Sequence, residues 1–451
     1  MELFGSSGTR GTVGEAMTPS LVLRVARAAG TVWGADEAAV ARDTRTSGAM
    51  LAAAAASGLA SVGTDAVLLG PVPTPGVAAH CEREGMPALV VTASHNPPAY
   101  NGVKLLGADG VELTVEALER VERRVFTEPV AEAAWDGVGD LRRVADANER
   151  YVTDLLDAAD RDRIADAGLT VAVDPGHGAG ALTSPEFFRR LGCEVVTANA
   201  QPDGHFPGRD PEPVPGNLGD LRRLVRAADA DLGVAHDGDA DRAIFVDETG
   251  ETVPGEASLA ALVAAELDPG DAVVAAVNAS QRLVDVVEAA DARLELTPIG
   301  ATNIVTRIRD LRADGVSVPV AGEGNGGVYF PEYRLSRDGA HTAARFLELV
   351  AERPASAVVE PHLDYHFVRR SVEHGSERER ERLLAAAAEY AADAPVDPDT
   401  TDGYRLDFGD AWVLVRPSGT EPKVRVYAEA RDPDRADRLA DDLVSALEAA
   451  R

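Results

Sequence analysis

Short apolar, β-branched runs alternate along this chain with Ala-, Leu- and Arg-rich stretches of helical period, the pattern of βα units wound around a sheet. AVLLG (66–70), ALVVTAS (88–94), LTVAVDPGHGAG (169–180), LGVAHDGDADR (232–242), AVVAAVNAS (272–280) and VSVPVAGEGNGG (316–327) each read as a strand running into a polar, glycine-containing loop. In open α/β sheets ligands gather beyond the carboxyl ends of strands, so these loops are where chemistry is expected. Several of them in one chain predict repeated α/β domains facing one cleft. From about residue 360 the order changes. YHFVRRSV, YRLDF, AWVLVRP and KVRVYAEA read as strands, and ERERERLLAAAAEYAAD and PDRADRLADDLVSALEAA as helices, which predicts a smaller C-terminal α+β domain with an antiparallel sheet. The ERERER run reads as a solvated helix face. Breaks near Asn148, Asp247 and Glu360 divide the chain into 1–147, 148–247, 248–359 and 360–451. The Ala-rich stretch AMLAAAAASGLASV (49–62) is short and interrupted by Ser57 and Gly58, so it predicts a buried helix rather than a membrane span.

Composition narrows the function classes. The 451 residues are 45% hydrophobic, enough for several cores, and the 75 acidic against 44 basic residues give a net charge of −31, which argues against nucleic acid as a partner. Cys81 and Cys193 form no C-x-x-C pair, so a reducing compartment is expected rather than a disulfide scaffold or a zinc site. MELFGSSGTRG has no basic stretch followed by an apolar one, and no run reaches the length of a membrane span; a cytoplasmic protein with no membrane partner is expected. Lys104 and Lys423 are the two lysines among the 44 basic residues. Carboxylate excess with arginine in place of lysine predicts a halophilic host, since concentrated salt screens the self-repulsion; a GC-rich codon bias also trades Lys for Arg.

Five segments carry candidate chemistry. Asp237, Asp239 and Asp241 in HDGDADR put three carboxylates at alternate positions after an apolar strand, and an extended loop would turn all three the same way. Their mutual repulsion calls for a cation, and hard oxygen ligands suit Mg²⁺; an acidic surface in an acidic protein is the plainer account. An EF-hand is excluded because Ala243 and Phe245 fall at ligand positions. Ser94, in TASHNPPAYNGVK at a strand's carboxyl end, is either part of a turn set by Asn96 and Pro97 or a phosphoryl carrier, with His95 and Lys104 able to supply or stabilise protons. Thr92 and Asn96 replace the glycines of a nucleophile elbow, against an esterase. GEGNGG (322–327) is followed by the β-like VYF, against a dinucleotide fingerprint; Glu323 and Asn325 on a tight glycine loop suit vicinal sugar hydroxyls, the alternative being a plain turn. RPSGTEPK gathers Arg416, Ser418, Gly419, Thr420 and Lys423, the hydroxyls, backbone and cations that phosphate oxygens need, and no Walker A motif accompanies it. Ser7 and Arg10 in FGSSGTRG offer a similar set, or a simple turn.

FGSSGTRG, TASHNPPAYNGVK, DGDADR, GEGNGG and RPSGTEPK, in this order and spacing, resemble the α-D-phosphohexomutase superfamily over essentially the whole chain. The resemblance implies three similar α/β/α domains with mixed sheets plus a smaller C-terminal α+β domain, around a central cleft. It implies a phosphoserine at Ser94, with Ser94, Asp237, Asp239 and Asp241 holding Mg²⁺. Lys104, Arg10, His95 and Arg242 would serve the transfer. Glu323 and Asn325 would hold sugar hydroxyls, and Arg416, Ser418, Gly419 and Thr420 the phosphate that stays. The implied partners are small sugar phosphates, with a sugar 1,6-bisphosphate as activator and intermediate, acting on a monomer or homodimer. Phosphoglucosamine mutase is the leading activity, phosphoglucomutase/phosphomannomutase the alternative, and a non-catalytic sugar-phosphate-binding protein the reading from another class. Asn325, Gly326 and Gly327 stand where many bacterial members have Ser-Gly-His, a form that resembles archaeal members, and Ala301 in TPIGATNIV stands where polar residues are common.

Overall fold

The computed structural model describes residues 3–4, 8–418 and 422–451. The chain divides into two compact units, Met1–Ser258 with Asn325–Val358, and Leu259–Gly324 with Val359–Arg451.

The first unit is built on two mixed sheets. One orders its strands Thr9–Thr12, Tyr100–Leu106, Ala88–Val91, Glu37–Arg42, Asp65–Pro71 and Leu141–Arg143. The last four are parallel, and Tyr100–Leu106 and Thr9–Thr12 add on antiparallel. The buried strand Ala88–Val91 is apolar throughout, as a strand covered on both faces must be. Helix Pro19–Trp33 starts where the Thr18 hydroxyl accepts from Leu21 N and Pro19 supplies the first turn, and ends at Gly34, whose φ of 57° only glycine adopts cheaply. The Ala-rich stretch forms helix Gly48–Ala60 against it. There the missing side chain of Gly58 matters, because a Cβ would stand 2.6 Å from the Leu23 carbonyl oxygen.

The second sheet orders Ile244–Asp247, Leu232–Ala235, Thr170–Asp174 and Glu194–Thr197. Its first pair is an antiparallel hairpin and the rest is parallel. Helix Gly339–Val350 belongs to the same unit, with Phe346 stacked on Phe245 at 4.2 Å. A fully buried ring of this kind stabilises by roughly 1.5–3 kcal/mol.

In the second unit Arg293–Thr297, Ala272–Ala276 and Ala321–Glu323 run parallel. His366–Glu373, Lys423–Ala430, Ala411–Pro417 and Tyr404–Asp407 form an antiparallel sheet. Helices Glu377–Ala392 and Pro433–Ala449 bury Leu383, Ala387, Leu443 and Leu447 against it. Glu429 is buried there, accepting from Ser280 Oγ, Gln281 N, Arg282 Nη1 and Trp412 Nε1. Among the described residues no helix is long and apolar enough to cross a membrane.

Candidate active site

In the first unit two loops meet at the carboxyl ends of neighbouring sheets. Strand Ala88–Val91 runs into Thr92, Ala93 and Ser94, and Ser94 turns the chain with a φ of 48°, left-handed backbone that a serine adopts only where its surroundings hold it. What holds it is a chain of buried hydrogen bonds: Ser94 N donates to Thr92 Oγ1 (2.9 Å), and Thr92 Oγ1 to Asp43 Oδ2 (2.8 Å). Arg45, 1% exposed, then donates to the carbonyls of Ser94 (2.8 Å), Asn96 (2.6 Å), Pro97 (2.7 Å) and Tyr100 (3.0 Å), and its Nε bonds Asp43 Oδ2 at 3.0 Å. One guanidinium thus satisfies four carbonyls of a single loop.

Facing this loop is the hairpin that carries the three aspartates. Its connection is not extended. Ala240 has a φ of 58° and its N–H donates to the Asp237 carbonyl at 3.2 Å, so a tight turn, rather than strand alternation, gathers the carboxylates. Asp237, Asp239 and Asp241 are each at most 2% exposed, and one oxygen from each lies within 4.8 Å of the others. Ser94 Oγ donates to Asp237 Oδ2 at 2.6 Å. Thr74 Oγ1 and Lys104 Nζ donate to Asp239 Oδ2 at 2.6 and 2.8 Å, and Lys104 Nζ and Arg337 Nη2 donate to Asp241 Oδ2 at 2.9 and 2.7 Å. Oδ1 of all three aspartates, although buried, has no hydrogen-bond partner among the described residues. Leaving a buried charged oxygen unpaired costs about 1–3 kcal/mol or more, so three together form a donor set suited to a hard cation.

The electrostatics divide the triad. Burial, then Asp241 and Asp239, push the Asp237 carboxyl up to about 8. Asp241 is held far below the usual carboxylate range in spite of burial, because Arg337, Lys104 and Arg242 outweigh it. Burial would lower the Lys104 ammonium, but Asp239 and Asp241 hold it above the ordinary lysine value. Burial, with Arg242 and Arg10, drives the His95 imidazolium far down, so the ring, 3.4 Å from Ser94 Oγ, is neutral.

Arg10 sits on strand Thr9–Thr12 opposite Gly102 and donates to Asn96 Oδ1 at 3.2 Å. Arg242 Nε lies 3.7 Å from Asp241 Oδ1 and 4.0 Å from Asp237 Oδ2, buried and without a hydrogen-bond partner among the described residues. Ser94, His95, Lys104, Arg10, Arg242 and the three aspartates are therefore brought together.

The remaining expected residues lie elsewhere or outside the description. Asn325, also in the first unit, accepts from Gly327 N at 3.0 Å through its own Oδ1, closing its loop. In the second unit Glu323 is buried at the end of strand Ala321–Glu323. There too Arg416 Nε donates to Asp402 Oδ2 at 2.9 Å, and the same oxygen accepts from Ile299 N at 3.1 Å, tying RPSGTEPK to TPIGATN. Ser418 N donates to the Lys423 carbonyl at 2.8 Å. Gly419, Thr420 and Ser7 lie outside the described residues.

Sequence reasoning missed Arg45, Thr74, Arg337 and Asp402. A signal existed for the first: EAAVARDTRTSG is another apolar strand running into a polar loop, the pattern that marked the other sites.

Comparison with known proteins places this geometry. Four segments match the phosphoglucomutase/phosphomannomutase family: alpha/beta/alpha domain I over residues 1–131, domain II over 149–250, domain III over 255–365 and the C-terminal domain over 373–446. The chain belongs to this family. A relative from Methanopyrus kandleri named "Probable phosphoglucosamine mutase" is 40% identical over 449 residues, 98% of this chain and 96% of that protein. One from Thermococcus kodakarensis named "Phosphoglucomutase/phosphomannomutase" is 39% identical over 447 residues, 96% of each. The crystal structure of a phosphoglucomutase/phosphomannomutase family protein from Burkholderia thailandensis superimposes with a TM-score of 0.86 at 28% identity, covering 99% of this chain and 97% of that one. The fold is accordingly three α/β/α domains and a C-terminal domain, and the enzyme is a phosphohexomutase, of the isomerase class.

Proposed function

We propose that this phosphohexomutase interconverts hexose 6-phosphates and hexose 1-phosphates through a phosphorylated Ser94 and a bisphosphorylated sugar, with glucosamine 6-phosphate to glucosamine 1-phosphate as its principal reaction. The observation that carries the reading is Ser94 Oγ, 2.6 Å from Asp237 at the edge of three buried carboxylates with unpaired oxygens. Asp237, Asp239 and Asp241, with an oxygen on Ser94, would hold Mg²⁺. Bound there, the cation would neutralise charge on the phosphoryl group in transfer.

The chain's own residues do the rest. The Arg45-bound turn fixes Ser94 Oγ against the triad, so little reorganisation stands between bound sugar phosphate and in-line attack. Arg10 and Arg242 stabilise charge on the transferring group, and Lys104, kept as an ammonium by Asp239 and Asp241, does the same and can yield a proton to the leaving oxygen. Neutral His95 can accept or donate one hydrogen bond at Ser94 but adds no charge. Glu323 and Asn325 would hold sugar hydroxyls, and Arg416, Ser418, Gly419 and Thr420 the phosphate that is not transferred, with the sugar able to turn between its two orientations. We take the domains as 1–147, 148–247, 248–359 and 360–451; the matched segments lie near these but run past 247 to 250 and past 359 to 365.

The Methanopyrus relative's name supports the amino sugar, and the Thermococcus relative's name, at nearly equal identity, supports a general hexose mutase as the second reading. Purified enzyme with Mg²⁺ and a trace of sugar bisphosphate, assayed on glucosamine 6-phosphate, glucose 1-phosphate and mannose 1-phosphate, decides between them by kcat/KM. Comparable or better rates on the neutral sugars make the second reading the right one. Ser94→Ala removes the acceptor and should abolish turnover; normal turnover in that variant would sink the phosphoserine.

A further inference from the structure

Arg337 lies in the segment between strand Gly327–Tyr329 and helix Gly339–Val350, 5% exposed, and reaches the metal loop from a part of the chain that no site motif covers. Its Nη2 donates at 2.7 Å to Asp241 Oδ2, the oxygen that Lys104 Nζ also reaches at 2.9 Å. Two fixed cations therefore share one oxygen of the triad, while Oδ1 of Asp241 accepts no hydrogen bond and has only the Arg242 Nε at 3.7 Å beside it. The segment is seated on the same loop by its backbone. Gly339 N donates to the Ala240 carbonyl at 3.2 Å, and a Cβ on Gly339 would stand 2.3 Å from the Arg242 carbonyl oxygen. Asp338, between them, is fixed by Tyr151 Oη at 2.8 Å, Tyr333 Oη at 3.2 Å and His341 N at 3.0 Å, so the arginine has little freedom to swing away.

The path of the side chain depends on a glycine. A Cβ on Gly327 would stand 2.7 Å from Arg337 Cδ and 3.4 Å from its Nη1, so any larger residue at 327 must displace the arginine. Gly327 has no left-handed backbone that would itself demand glycine. Space, not conformation, is what the position supplies.

We propose that Arg337, admitted by Gly327, is a built-in counter-ion of the aspartate triad: with Lys104 it neutralises the carboxylates when no divalent cation is bound, and so keeps the metal loop formed between metal-binding events. The inference rests on the triad being the metal centre. Its consequence is opposite to that of a residue that merely orients a ligand. A counter-ion competes with the metal for the same carboxylate, so its removal makes the metal-free protein less stable and the metal bind more tightly.

The test is Mn²⁺ binding followed by electron paramagnetic resonance, with Ser94 unphosphorylated throughout, together with thermal unfolding with and without Mn²⁺. Arg337→Met is expected to lower the metal-free Tm, to enlarge the rise in Tm on adding Mn²⁺, and to tighten Mn²⁺ binding about tenfold. Arg337→Lys, which keeps the charge, should stay near the parent in Kd. Gly327→Ala leaves every charged group in place and crowds the arginine off its path; it should move Kd and Tm in the same direction as Arg337→Met, and serves if that variant does not fold without metal. Mn²⁺ affinity that is unchanged or weaker in both Arg337→Met and Gly327→Ala overturns the counter-ion role while leaving the metal centre standing. Mn²⁺ binding that survives Asp241→Asn undiminished overturns the metal centre itself, and the inference with it.

Discussion

Replacing Arg45 with methionine keeps most of the side chain's volume and removes the guanidinium from a site 1% open to solvent. Four loop carbonyls lose their donor at once and Asp43, fully buried, loses its ion pair. Breaking a buried pair by removing one partner costs about 3–5 kcal/mol. The loss of the loop hydrogen bonds falls within that figure rather than on top of it, because the loop at 94–100 can move towards water once released. That movement is the functional cost. Ser94 keeps its left-handed φ only while the turn is clamped, and a displacement of about 1 Å at a reacting atom costs on the order of 10²-fold in rate. The expected outcome is a urea midpoint lowered by the equivalent of about 3 kcal/mol or more and kcat down at least about 100-fold, with KM for the sugar phosphate changed much less. Arg45→Lys separates the two effects: it restores a cation for Asp43 but, with three donors on one nitrogen, it cannot reach carbonyls spread from Ser94 to Tyr100. It should recover much of the stability and little of the rate. Wild-type kcat in Arg45→Lys would refute the clamp, and a wild-type urea midpoint in Arg45→Met would refute the energetics.

Other expectations follow from single contacts. A Cβ on Gly238 would stand 2.6 Å from the Ser94 carbonyl oxygen, so Gly238→Ala should push the two site loops apart and lower kcat about 10²-fold while moving Tm by only a few degrees, read by steady-state kinetics and calorimetry. His341, buried against Tyr333 and Phe330, is lowered from 6.5 to about 3 by burial, with Arg345 and Arg334 adding to it. Its folded value lies below its unfolded one, so the contribution is complete above about pH 6.5 and is lost as pH falls towards 3; by pH 5 the loss is about 2 kcal/mol, and His341→Phe should flatten the stability profile between pH 8 and 5 by that amount. Asp402→Ala should raise KM several-fold with kcat nearly unchanged, because it frees both Arg416 and the Ile299 backbone; an unchanged KM would separate Asp402 from substrate binding. With a net charge of −31, the protein should unfold more readily as KCl is diluted from molar to millimolar concentration, and a Tm independent of KCl would remove the case for a salt-adapted host.

The parts of the site that the sequence announces are those whose chemistry is local. Three carboxylates within five residues after an apolar strand, or a serine at a strand's end with a lysine ten residues on, declare a cluster before any fold is known. Arg45 and Arg337 do not, since their partners lie 52 and 96 residues away at Pro97 and Asp241, and only the sheet order brings them together. The turn at Asp237–Asp241 was legible as a cluster but not as a shape. Alternation suggests an extended loop, whereas left-handed Ala240, a conformation that alanine gives no sign of, bends it. The strand order was legible where β-branched runs led into glycine loops. The antiparallel additions Thr9–Thr12 and Tyr100–Leu106 were hidden because TRGT and YNGVKLL are each interrupted by a glycine and a basic residue, and they form through pairing with one another and with Ala88–Val91.

Lys104 gives this enzyme an optical handle of its own. Of the two lysines in the chain, Lys423 is partly open to solvent, while Lys104 is 1% exposed and bonded to two aspartates. An amine-reactive dye should therefore label Lys423 early, and Lys104 only in molecules whose centre has come apart. The slow phase of labelling becomes a clock for that opening, read without any engineered residue.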